Sequence, residues 1–103
     1  MNKEFRIRKK AIEILEKEKW LVWWPSRARF KQNDIFGAFD LICWKKGGGD
    51  LKFIQLTTIS NLASRRRKIK NFFQKNKINL KRGIKTEIWA WNKNKKNFKI
   101  ELI

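Results

Sequence analysis

The residues best placed to do chemistry are Asp40, Gln55 and Thr57. Gln55 and Thr57 flank Leu56 in the run Leu51-Lys52-Phe53-Ile54-Gln55-Leu56-Thr57-Thr58, whose apolar and β-branched content predicts a strand. Strand period two turns both polar side chains to one face. Asp40 stands at the head of the preceding strand-like run. The glycine-containing turn between the two runs folds them into a ribbon, which brings the Asp40 carboxylate near Gln55. A metal ion fits between such oxygens. The chain has no histidine, which removes Ser-His-Asp and Cys-His triads, histidine general bases and imidazole-dependent zinc sites. Hydrolysis by this chain therefore rests on carboxylates and a hard cation, Mg²⁺ or Mn²⁺. Taken singly, Asp40 reads as a turn cap and Gln55 and Thr57 as ordinary residues of a half-exposed strand. Only their combination points to a site.

The elements that position these residues follow from periodicity. Residues 2–19 carry Phe5, Ile7, Ala11, Ile12, Ile14 and Leu15 on one broad helical face, and Glu4 projects from the middle of that face, toward the protein. Residues 20–24, rich in Trp and stopped by Pro25, predict a strand. Residues 39–44 predict a second strand, 45–50 with three glycines a hairpin turn, and 51–58 the third. Leu62, Ile69, Phe72 and Phe73 recur at helical spacing over residues 61–76, with Ser60 or Asn61 as cap. Strands over 86–91 and 98–103 close the chain. The whole chain, 1–103, reads as a single α/β domain: helix, three strands, helix, two strands, with a central mixed sheet flanked by helices.

Charge indicates the partner. With 27 Lys and Arg against 9 Asp and Glu, the net charge is +18. Such self-repulsion is best relieved by a polyanion, and nucleic acid gains affinity by counterion release. Arg27, Arg29 and Lys31 alternate along a basic loop, and Arg65, Arg66, Arg67 and Lys68 form a basic run on the second helix. Both groups suit phosphate contacts. The six Trp all fall on predicted strands, where sheet packing is their more usual role than base stacking, with one or two expected to be exposed. The single cysteine, Cys43, lies in an apolar stretch as a buried hydrophobe with no catalytic role. No apolar run approaches the roughly 20 residues of a spanning helix, and no signal-peptide apolar region opens the chain, so the expected setting is cytoplasmic, away from membranes.

The element order, the segment DIFGAFDLICW, the glycine turn and the strand FIQLTT together resemble the PD-(D/E)XK nuclease superfamily over nearly the whole chain, closest in layout to archaeal Holliday-junction resolvases. The resemblance implies a restriction-endonuclease-like core in which Asp40 is the strand-opening acid, Gln55 stands at the second acid and Thr57 at the lysine. It implies a cation held by Asp40, Gln55 and the Leu56 carbonyl, with Asp34 or Glu4 supplying a second carboxylate. At Gln55 an amide replaces the family's second acid and at Thr57 a hydroxyl replaces its ammonium, so ligand charge falls by one and metal affinity weakens.

Three readings stay open. The first is a metal-dependent endodeoxyribonuclease, with DNA rather than RNA as the expected partner; a resolvase would work as a symmetric homodimer. The second keeps the nuclease scaffold for binding DNA or RNA without cleavage. The third is a basic RNA-binding or ribosome-associated module whose Asp40 is dispensable.

Overall fold

The computed structural model describes residues 3–25 and 34–103. Helix α1 (Lys3–Lys17) leads into strand β1 (Trp20–Trp23), followed by β2 (Leu41–Lys45) and β3 (Leu51–Thr58). A 3-10 turn (Ile59–Asn61) enters helix α2 (Leu62–Lys75), and β4 (Ile84–Asn92) and β5 (Asn97–Leu102) complete the chain. The five strands form one sheet in chain order. β1, β2 and β3 are an antiparallel meander, β4 returns parallel to β3 after α2, and β5 pairs antiparallel with β4. This is the expected α/β arrangement of two helices on a mixed sheet.

The two faces of the sheet bury two apolar clusters. On one, Ala11 and Leu15 of α1 pack on Trp20, Leu41, Cys43, Ile54 and Trp89. On the other, Leu62 and Ile69 of α2 pack on Phe39, Ile88 and Ala90. Each fully buried aliphatic side chain contributes about 1.5 to 3 kcal/mol to this association. Cys43 is fully buried, and burial pushes its thiol up to about 12, which suits the packing role expected of it.

The apolar face of α1 is narrower than its sequence predicts. Ile7, Ala11 and Leu15, one row at four-residue spacing, are buried, whereas Phe5 and Ile14 remain 40% and 39% exposed. That row carries the main contact with the sheet, and Ile12 packs partly buried beside it. At α2, Asn61 is the capping residue but makes no side-chain capping bond. Its amide donates instead to Thr58 Oγ1 at 3.4 Å, and Ser60 shares a 3.1 Å hydrogen bond with the same hydroxyl.

Phe39, expected in the second strand, lies before it. Ile35 and Phe39 form an isolated antiparallel bridge closed by a tight turn in which Phe36 and Gly37 take left-handed φ values of 56° and 69°. The turn drives Phe39 into the α2 cluster and leaves Asp34 and Asp40 flanking the bridge. At the hairpin, Gly47 has φ 79°, a conformation that glycine adopts without strain.

Candidate functional site

β2 and β3 are paired so that Leu41 faces Ile54, and the Asp40 amide donates to the Ile54 carbonyl at 2.8 Å. This register sets Asp40 opposite Gln55. The Gln55 Nε2 donates to Asp40 Oδ2 at 2.7 Å and to the Leu56 carbonyl at 2.9 Å, while the Leu56 amide donates to the same Oδ2 at 2.7 Å. The amide orientation is fixed by its neighbours, because Oε1 in place of Nε2 would face two acceptors. Asp40, Gln55 and Leu56 are thus brought together as the sequence predicts. Thr57 is buried on the same face as Gln55 and lines the same cleft.

That cleft has a volume of about 490 Å³. Its acids are Asp40, Asp34 and the exposed Glu4, which stands at the rim rather than inside the protein. Its cations come from both helices: Lys3 and Arg8 of α1, Arg65 and Lys68 of α2. Burial raises the Asp40 carboxyl from 3.8 to about 6; the Leu56 amide, Lys68 and Arg65 oppose the rise, and the Asp34 charge adds to it. Arg65 Nε is buried and finds no hydrogen-bond partner among the described residues.

The basic run on α2 divides. Arg65 and Lys68 face the cleft, but Arg66 forks onto Glu101 of β5, with Nε to Oε1 at 2.8 Å and Nη2 to Oε2 at 2.9 Å. Arg67 is exposed outside the cleft. Arg27, Arg29 and Lys31 lie outside the described residues. Lys3, Arg8 and Trp24 were not singled out by sequence; the available signal was Arg8 one helical turn after Glu4, which places both on adjoining parts of one face.

Among the described residues, no three His, Cys, Asp or Glu side chains gather closely enough to form a metal group by themselves. A cation at Asp40 would draw on amide and backbone oxygens beside the carboxylates. The donors at hand are all hard oxygens, which suit Mg²⁺ or Mn²⁺ and not soft metals. Among the described residues no helix is long and apolar enough to cross a membrane. Compared with family models, with curated proteins and with solved structures, the chain matches none.

Proposed function

We propose that the chain is a metal-dependent endonuclease acting on DNA, built on a restriction-endonuclease-like core. The observation that carries this reading is the meeting of Asp40, Gln55 and the Leu56 backbone through three hydrogen bonds in a cleft rimmed by Lys3, Arg8, Arg65 and Lys68. An acid surrounded by phosphate-seeking cations is an arrangement suited to a phosphodiester. The element order supports it further: a helix, an antiparallel meander, a second helix and a strand parallel to the third.

Asp40, the Gln55 Oε1 and the Leu56 carbonyl would hold Mg²⁺ or Mn²⁺, with Asp34 or Glu4 as the further carboxylate. When bound, such an ion polarises the phosphate and lowers the pKa of a coordinated water. Asp40 works in its ionised form, which the metal-free protein reaches as pH rises past about 6. Arg65 and Lys68 hold the phosphate and supply the positive charge that Thr57, a neutral hydroxyl, does not.

One observation favours the alternative of binding without cleavage. Gln55 Nε2 already bridges Asp40 and the Leu56 carbonyl, so the protein's own groups satisfy both oxygens. The test is incubation of labelled four-way junction, duplex and single-stranded DNA with Mg²⁺ or Mn²⁺. Cleavage that is lost in Asp40→Ala while binding persists supports the nuclease; binding with no cleavage in either metal supports the alternative.

A further inference from the structure

On the β1–β2 ribbon, the register pairs Leu21 with Trp44 and Trp23 with Ile42. Paired residues share a face, so these four side chains form one contiguous patch. Leu21, Trp23 and Trp44 are 60%, 57% and 57% exposed, although α2 packs on the same side of the sheet. Among the described residues the helix lies over β3 and β4 rather than over the ribbon. Large aromatic rings presented to water on an antiparallel ribbon call for a ligand.

The patch continues into the Asp40 cleft. Asp40, Ile42 and Trp44 alternate along one face, which puts the outer tryptophan roughly 13 Å from the acid at the usual strand rise. Beyond Trp23 the chain runs on through Trp24 and Pro25, which line the cleft itself. Exposed Lys19 and Lys46, joined by a backbone hydrogen bond of 2.9 Å, bound the far end of the ribbon. Cations therefore stand at both ends, with flat apolar surface between them and no acid among the described residues of the patch.

We propose that this face is a stacking platform for unpaired bases, which makes the ligand of the neighbouring cleft a nucleic acid with a single-stranded stretch. Tryptophan offers every base the same π-face, and flanking lysines follow the phosphates. The length of the patch accommodates two or three unstacked nucleotides at roughly 3.4 Å or more each. A second copy of the chain fits poorly: two +18 molecules would meet on a surface of four side chains, whereas a stable interface takes about 20 to 30 residues a side. The inference rests on the cleft as the nucleic-acid site but not on cleavage there.

The experiment measures binding of a labelled oligo-dT of about 15 nucleotides and of a blunt duplex by fluorescence anisotropy in EDTA, where cleavage plays no part. The proteins are wild type, Trp23→Ala, Trp44→Ala and Trp23→Phe, each checked for an unchanged thermal melt and molar mass. The expected result is a loss of about tenfold in oligo-dT affinity for each alanine variant, retention in Trp23→Phe, and duplex affinity within about twofold. Unchanged oligo-dT affinity, or equal loss on both DNAs, overturns the platform, as does a fall in molar mass without selective loss of single-strand binding. A protein that cleaves DNA yet shows no such selectivity keeps the nuclease and loses the platform; selective binding without cleavage does the reverse.

Discussion

Gln55 and Asp40 meet head to head across adjacent antiparallel strands, with the amide nitrogen 2.7 Å from Asp40 Oδ2. The amide supplies what a second carboxylate cannot, a donor to a half-buried acid that the surroundings would otherwise leave short of partners. With the Leu56 amide on the same oxygen, the acid is held in place in spite of the desolvation that raises it to about 6.

Asp40 should cost the fold stability at neutral pH. Its folded-state value lies above the unfolded 3.8, so its contribution is full below that pH and is lost as pH rises through about 6. A shift of this size corresponds to about 3 kcal/mol once complete. Asp40→Asn keeps an oxygen for both donors and removes the charge. The variant is expected to be more stable than wild type by about 1 to 3 kcal/mol at pH 8, with the difference shrinking toward pH 4. Urea denaturation across that range checks this, and equal stabilities at pH 8 contradict it.

Divalent cations should offset the same cost. At pH 7.5, Mn²⁺ at about ten times its dissociation constant is expected to stabilise the wild-type protein by about 1.4 kcal/mol. The effect should fade at pH 5, where Asp40 is protonated in the folded chain, and vanish in Asp40→Asn. Thermal melts with Mn²⁺ and with matched monovalent salt separate site binding from screening.

Gln55→Glu places a second carboxylate against the first. Two N–H bonds are replaced by repulsion, so the variant is expected to unfold more easily in EDTA at pH 8. It should also bind Mn²⁺ about tenfold more tightly, which titration calorimetry measures. A variant no less stable in EDTA would mean that Gln55 and Asp40 do not interact as described.

A separate prediction concerns the α1 face of the sheet. Lys52 Nζ lies 3.4 Å from Glu87 Oε1, with both side chains nearly buried, and stands 4.4 Å from the Trp20 ring centroid. Trp89 Nε1 donates to the same Glu87 oxygen at 2.9 Å. Glu87→Ala leaves the ammonium buried with no counter-charge and is expected to cost about 3 kcal/mol, whereas Lys52→Met with Glu87→Gln should cost less than either single change. Urea melts of wild type, Glu87→Ala, Lys52→Met, Glu87→Gln and the double variant decide.

Much of this was legible in the sequence where periodicity and geometry coincide. The strand Leu51–Thr58 was read to its exact ends because the glycine turn and the alternation of Gln55 and Thr57 leave little freedom in register. Phe39 was misplaced because the turn before it depends on a left-handed Phe36, which no residue preference announces. The run from Arg65 to Lys68 looked uniform, yet successive helical residues point 100° apart, and that rotation sends Arg66 to Glu101 while Arg65 and Lys68 reach the cleft. Which tryptophans are exposed is not given by the sequence for a similar reason: strand composition carries no sign of where the helix lies across the sheet.

The most direct test of the nuclease reading is single-turnover incubation of labelled DNA, branched and linear, with wild type and Asp40→Asn in Mn²⁺ at pH 8. Wild type is expected to cleave, the variant to lose at least about a hundredfold in rate, and DNA binding to be undiminished in that more stable protein. Equal cleavage by the two proteins, or none by either, would contradict the nuclease reading.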